Sequence, residues 1–391
     1  MSTGIFGIGI SALQTAQLGL LTTGHNIANA NTNGYNRQRI LQVENIPNGT
    51  GAGYVGTGVH VSTVERIYSS FLAKQVSTAQ TSLSSLEVYA SILSELNMLL
   101  ADKDAGLEQA LEGFYAGINQ VAGDPASLVT RQTMVSNAQS LASRFQILSG
   151  QIDEQYRNVD AQIEGHVGSI NSYAQQIAKI NKQIMDAEAL VNQPPNDLYD
   201  QRDQLIAEVN KMVGVQTTMN SNGTMNVFFG NGQPLVVGMT ATKLAAVQSS
   251  GNFGRLTVGI VNASGTQELP ESVFTGGALS GILQYRAESL NAAANSLGQI
   301  AASLALVFNA QHALGQDLLG RIDGDTGFVP DFFKLGKPTV LPNTNNLGTE
   351  TISAEFLPPS YSDDGTFYTN LKASDYRLEY NAGQYTLTRL S

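Results

Sequence analysis

The stretch MSTGIFGIGISALQTAQLGLLTTGHNIANANTNGYN, residues 1 to 36, decides how the rest of the chain is read. No Asp, Glu, Lys or Arg occurs in it before Arg37, and Phe6, Leu13, Leu20 and Ile27 recur every seven residues. Ile10 and Ala16 fill part of a second seam, and the small residues Ala12, Gly19 and Ala28 flank it. That spacing predicts a helix with a coiled-coil stripe. One amphipathic helix of this length is marginal alone in water, so its stripe requires another surface. Its lack of charge adds a demand for burial on more than one side, because charged residues are rarely buried unpaired. We expect this end to be completed only in an assembly. No basic residue precedes the apolar positions, which argues against a signal peptide. Ser11, Gln14, Thr15 and Gln17 interrupt it too early for a membrane span. Asn33-Gly34 predicts a turn after the helix end.

Composition bounds the remainder. The chain has 391 residues, a formal net charge of -11 and a pI near 4.8. An acidic chain without a basic stripe is not expected to bind nucleic acid. Only 14% of residues are charged, which suits packing against copies or relatives at small desolvation cost. Cysteine is absent, so disulfides, Cys-type zinc sites and thiol catalysis are excluded.

Period-two alternation predicts strands over 38–46 and 54–67 joined as a hairpin, with His60 pointing outward. From Ser69 the period becomes helical, with Leu72, Ala79, Leu86, Leu93 and Leu100 in one seam and Tyr89 and Leu96 in the other. Asp102 to Gly106 breaks this helix, and a shorter one follows over 107–122. Residues 126–192 read as one or two long helices with Gly150, Gly165 and Gly168 as candidate kinks. A continuous run would span roughly 100 Å at 1.5 Å per residue. His166 is expected to be packed or on the helix surface. After Pro194-Pro195 a helix runs to Val213. Its Asp197, Asp200, Arg202 and Asp203 invite a metal or acid–base reading, but carboxylates at a helix start complement the dipole, and capping with local ion pairs is preferred.

Beyond Gly214 the pattern turns to short strands at 215–219, 225–229, 234–237, 244–247 and 255–261, with Asn222-Gly223 and Gly230-Asn231-Gly232 as hairpin signals. Gly276-Gly277 ends them as a turn, since no Lys follows at phosphate-loop spacing. A helix returns over 280–313. His312 with Asp317 lacks a third catalytic member and is read as bonding locally. A hairpin around Asn381-Ala382-Gly383 closes the chain. The expected fold class is mainly α with a β-rich outer domain (α+β), elongated, with long coiled-coil-like helices and a terminal axial helix. Its expected parts are 1–36, the helical 37–214, the β-rich 215–277, a returning helix 278–315 and a β-like 316–391.

The run Asn26-Ile27-Ala28-Asn29-Ala30-Asn31-Thr32-Asn33-Gly34-Tyr35-Asn36-Arg37 resembles the N-terminal signature of the axial proteins of the bacterial flagellum, the rod, hook and hook-associated proteins. The segments 196–205, 281–286 and 308–318 are similar to those of the hook-associated members at the hook–filament junction. The resemblance implies an inner helix lining a tube and paired with a C-terminal helix. It implies no enzyme, cofactor or metal, but a structural role through Phe6, Ile10, Leu13, Leu20, Ile27, Asn29, Asn31, Thr32, Gly34, Tyr35 and Arg37. It further implies contacts with hook protein and the second junction protein, self-association in a ring, an export chaperone, and secretion to the flagellum through type III export without a cleaved signal. The chain stops at Ser391 after a strand, with no heptad segment there. We therefore expect residues 1 to about 35 to be frayed or packed on another chain. A secreted helical adhesin or effector shares the long helices. A wall-active enzyme in the β-region is disfavoured by four dispersed histidines and no HExxH.

Overall fold

The computed structural model of the chain describes residues 4–101, 106–252, 254–348, 350–381 and 383–390. The break expected at Asp102 to Ala105 and the Ala382 tip of the last hairpin lie outside these residues. The fold class is α+β, as expected. In chain order, helix α1 (Ile5–Ala28) precedes the strands β1 (Gln38–Glu44), β2 (Asn48–Thr50), β3 (Gly53–Val55) and β4 (Val59–Arg66). Four helices follow: α2 (Ser70–Leu100), α3 (Leu107–Gly123), α4 (Leu128–Val191) and α5 (Asn196–Met212). Strands β5 (Val215–Met219), β6 (Met225–Phe229), β7 (Gln233–Val237), β8 (Thr240–Ala241), β9 (Lys243–Gln248), β10 (Leu256–Asn262) and β11 (Gly265–Glu268) come next. Helix α6 (Gly277–Gln284) passes through a π-helical segment, Tyr285–Leu290, into α7 (Asn291–Ala313). The hairpins β12 (Ser360–Tyr361) with β13 (Phe367–Tyr368), and β14 (Asp375–Asn381) with β15 (Gln384–Leu390), end the chain.

The run expected over 126–192 is one helix, α4 (Leu128–Val191), which continues through Gly150, Gly165 and Gly168. The chain divides into two interleaved units: residues 1–87, 164–247 and 258–281, and residues 88–163, 248–257 and 282–391.

In the first unit, β1 pairs antiparallel with β4 from Gln38↔Arg66 to Glu44↔Val59, with a register shift at Leu41/Gln42. The four-stranded order β5-β6-β7-β8 is an antiparallel meander, and β11-β10-β9 form a second sheet. Side-chain amides of α4 dock both sheets by standing in for a strand neighbour. Asn171 gives Nδ2 to the Leu244 carbonyl and accepts from the Leu244 N–H, both at 2.8 Å. Asn181 donates to the Met225 and Gly238 carbonyls and accepts from the Met225 N–H. Each pair satisfies backbone groups that burial would otherwise leave costly. Val227, Phe229, Leu235, Val236 and Leu244 are buried beneath the sheets, with Phe274 stacked on Phe229 at 5.8 Å.

The α2 seam differs from expectation. Within this unit Leu72 and Leu86 are exposed, and so are Val76 and Leu83, whereas Thr81 and Ser84 are buried. At Thr81 the cause is close backbone approach. Thr81 lies against Gly276 and Gly214, and its hydroxyl is within hydrogen-bonding distance of the carbonyl oxygens of Ser77 (2.8 Å) and Asn210 (3.2 Å). Small polar side chains fit where leucines would not. Gly276 and Gly277 hold φ of +75° and +76°, so this turn requires residues without Cβ.

The second unit is centred on Phe114, which is fully buried with Ala138 and Leu141. Phe308, Phe332 and Phe333 surround its ring at 5.1 to 6.4 Å. The His312 side chain does not bond within its helix end. Its Nδ1 lies 2.9 Å from the Pro330 carbonyl, and its ring stacks on Phe328 and Phe308. Asp317 pairs instead with Arg321 at 2.7 Å. Both residues serve the loop after α7, which sequence spacing alone does not reveal.

Phe114→Ala removes the ring at the centre of this aromatic cluster. We predict a loss of roughly 3–5 kcal/mol in urea unfolding. A loss near zero would show that the cluster does not hold the unit together.

Candidate functional site

Helix α1 packs on the β1–β4 hairpin with its small and polar face. Thr15 is buried, a Cβ at Gly19 would fall 3.4 Å from Ile40 Cδ1, and Ser11 Oγ accepts from the Val59 N–H at 3.3 Å. At 100° per residue, Ser11, Thr15, Gly19, Thr22 and Asn26 share one face, and the seven-residue stripe lies nearly opposite. The stripe is open: Phe6 is 82% exposed, Leu13 72%, Leu20 75% and Ile27 73%. Ile10 is exposed beside them. The helix is therefore formed and covered on one face only, with its apolar side unpartnered among the described residues. Among the described residues, two helices, 5–28 and 277–313, are long and apolar enough to cross a bilayer by length and composition. For α1 that arises from having no charges. Its interrupting Ser11 and Thr15 face the hairpin.

The signature block folds back onto its own chain. Asn26 acts as a strand surrogate: Nδ2 donates to the Gln38 carbonyl and Oδ1 accepts from the Gln38 N–H, both at 2.8 Å, and also from the Tyr35 hydroxyl at 2.7 Å. Asn29 is the C-cap of α1 and donates Nδ2 to the His25 carbonyl, while Thr32 donates to Asn29 Oδ1. Gly34 has φ +82°, a backbone conformation that favours glycine, and a Cβ there would fall 2.7 Å from Gln204 Oε1, so that side chain would have to shift. Tyr35 is half-buried, with its ring edge-on to His25. Asn31 is exposed, and so is Arg37, whose carbonyl accepts from the Ile67 N–H. The predicted residues thus separate into an open stripe on α1 and a turn that fixes how α1 leaves the body.

That turn is fastened to the acidic start of α5. Asp200 accepts from the Asn36 N–H (2.8 Å), Asn36 Nδ2 (2.7 Å) and Arg66 Nη1 (2.8 Å), and the same Arg66 nitrogen reaches Asp203 at 2.8 Å. Arg66 and Asp200 are almost fully withdrawn from solvent. The guanidinium lies 4.5 Å from the Tyr68 ring and 5.0 Å from Tyr199, two cation–π contacts. Asn196 donates to the Val64 carbonyl, and Gln38 donates to Asp197, which is also 3.4 Å from His25. The carboxylates are therefore long-range fasteners. They were expected to cap α5, but the N-cap is Pro195, and no side-chain cap bond forms. A turn separated by about 160 residues from its fastener leaves no local pattern to read. Clefts of about 430 and 620 Å³ flank the joint.

Burial sets the electrostatics. It holds the Asp203 carboxyl above its ordinary range against the opposing pull of Arg66. It pushes Tyr199 up to about 12, aided by the hydroxyl's bond to Glu188. Arg202, wholly buried, is lowered by the same desolvation. It gives Nη1 to the Gly223 carbonyl and lies over Tyr199 at 5.1 Å. Charges held this way favour a specific geometry more than overall stability.

Arg66→Leu strips the buried Asp200 and the half-buried Asp203 of their cation. We predict a loss of roughly 3–5 kcal/mol, with faster amide exchange at Asn36 to Gln38. Asp203→Asn is predicted to cost far less, because its ionised form is already disfavoured by burial. An acid raised in the folded state binds its proton more readily folded than unfolded. Stability of the unaltered chain relative to Asp203→Asn therefore rises as pH falls through that raised range, and levels off below the unfolded value. Equal losses for the two variants in urea titrations, or the opposite pH trend, would contradict this assignment.

Comparison with known proteins places this arrangement. The model of the helical domain of the flagellar hook-associated protein FlgK matches residues 93–328. The chain is 38% identical over 384 residues to flagellar hook-associated protein 1 of Salmonella typhimurium, covering 97% of this chain and 66% of that protein. With the Escherichia coli K12 protein of the same name it shares 36% over 385 residues, covering 98% and 68%. The solved structure of the flagellar hook junction protein FlgK from Burkholderia pseudomallei aligns with a TM-score of 0.71 at 38% identity, over 81% of this chain and 55% of that one. The chain spans about two thirds of the length of these curated relatives. By the family model and by identity along nearly its whole length, the chain belongs to the flagellar hook-associated protein family, FlgK.

Proposed function

We propose that this chain is a structural, non-catalytic subunit of the hook–filament junction of the bacterial flagellum, working by occupying a place in the axial stack. The observation that carries the reading is the α1 stripe. A charge-free helix is docked by its polar face, and Phe6, Ile10, Leu13, Leu20 and Ile27 are left open. Burying each such side chain contributes roughly 1.5–3 kcal/mol, so a row of five is a strong drive to associate. A helix of neighbouring protein with a matching heptad stripe is the natural cover. The exposed Leu72, Val76, Leu83 and Leu86 of α2 offer a second row at alternating spacings of four, seven and three residues.

In this reading the neighbours are copies of the chain in a ring, hook protein on one side and the second junction protein on the other. The signature turn, with Asn29, Asn31, Thr32, Gly34, Tyr35 and Arg37, sets the angle of α1 for those contacts. The site lies outside the cell on the flagellum, reached through type III export with an export chaperone and without a cleaved signal. The carboxylates Asp197, Asp200 and Asp203 are spent on the joint, which supports a role without chemistry.

Leu13→Asp combined with Leu20→Asp places charge in the stripe without touching the hairpin face. In cells lacking the native gene, the variant is predicted to be made at normal level and to unfold in urea like the unaltered chain. It should fail to enter purified flagella, and the cells should lose filaments. Normal incorporation of this folded variant would overturn the reading.

A further inference from the structure

The chain contains four Asn-Gly dipeptides, at Asn33, Asn48, Asn222 and Asn231. This pairing is chemically labile, because glycine leaves its backbone nitrogen free to approach the preceding side chain. The structure separates the four. Asn222 Oδ1 accepts from the Thr224 N–H and hydroxyl, and the Gly223 N–H donates to the Asn220 carbonyl at 3.2 Å. The Gly232 N–H donates to the Phe229 carbonyl at 3.2 Å. Asn48-Gly49 sits in the β2–β3 ladder, whose extended backbone turns the next nitrogen away from the side chain. Asn33 differs. Its amide is exposed and, among the described residues, makes no hydrogen bond, nor does the Gly34 N–H. The two lie in a tight turn, with Gly34 at φ +82°, on the wall of the 430 Å³ cleft.

We infer that Asn33 is a site of spontaneous deamidation, and that its conversion loosens the joint of the terminal helix. The deprotonated Gly34 nitrogen attacks Cγ of Asn33, a C–N bond forms, the bond to the side-chain nitrogen breaks, and ammonia leaves. Water then opens the succinimide at either carbonyl, leaving an aspartyl residue or its isoaspartyl isomer at this position, with no change of oxidation state. Either product puts a new carboxylate on a cleft wall that already carries Asp197 and Asp200. The isoaspartyl form also inserts a methylene into the main chain three residues before Asn36, whose N–H and Nδ2 hold Asp200. Charge repulsion and lengthening act on the same fastening.

The test is to age the full chain at alkaline and at mildly acidic pH and to map peptides by mass spectrometry with isoaspartate detection. The expected result is conversion at Asn33 severalfold faster than at Asn222, Asn231 or Asn48, and faster at alkaline pH because the attacking nitrogen must lose its proton. Asn33→Ser should remove that product and leave the other sites unchanged. Asn33→Asp should speed amide exchange at Asn36 to Gln38 while leaving exchange around Phe114 unaltered. Equal or faster conversion at any other Asn-Gly pair would overturn the site. Unchanged exchange at Asn36 to Gln38 in Asn33→Asp would overturn the loosening.

Discussion

An α-helix can turn only part of its surface toward its own chain, and α1 turns the wrong part for a self-sufficient fold. The face seated on the β1–β4 hairpin is made of Ser11, Thr15 and Gly19, where small side chains allow close approach. The apolar stripe is opposite. In a molecule built to stand alone this arrangement would be inverted, because burial of large apolar side chains is the dominant favourable contribution to folding. Here the packing leaves that contribution unused and available to another protein.

The consequence is that α1 must be held in place by something other than a hydrophobic core. The polar joint supplies this. Asn26 mimics a strand against Gln38, Asn36 is gripped by Asp200, and Arg66 links Asp200 to Asp203 against two tyrosine rings. Buried ion clusters are poor sources of net stability, but removing one member is expensive. Such a joint is strict about geometry. A subunit that presents a sticky helix benefits from strictness, since the direction of the helix decides which neighbour can cover it.

Much of this was legible in the sequence, and the boundary of legibility has a physical shape. Periods of two and 3.6 located the hairpins, the helix after Pro195 and the long helix 128–191 to within a few residues, because those elements obey local rules. The α1 stripe was legible as a stripe. What covers it was not, since periodicity records which residues share a face and nothing about the surface opposite. The α2 seam shows the same limit. Its leucines look like a core, and Leu96 is buried as read, yet over residues 70–87 Leu72 and Leu86 are exposed and Thr81 and Ser84 are the buried residues; at Thr81, Gly214 and Gly276 bring backbone too close for anything larger. Asp200 and Asp203 were read as capping with local ion pairs, because their partner Arg66 lies more than a hundred residues away in sequence. The asparagines of the signature are the inverse case. Asn29 and Asn31 were read as interaction residues, and the geometry uses Asn26, Asn29 and Asn36 to shape and anchor the chain itself.

The absence of native cysteine allows the central claim to be measured by thiol accessibility. Single cysteines at Phe6, Leu13 and Leu20 report the stripe, and cysteines at Thr15 and Gly19 report the hairpin face. In the dilute isolated chain the stripe positions should react rapidly with a maleimide and the hairpin positions slowly; in intact flagella the stripe positions should become protected. Stripe cysteines that are already shielded in the dilute chain, or that stay fully reactive in the assembled appendage, would contradict the account.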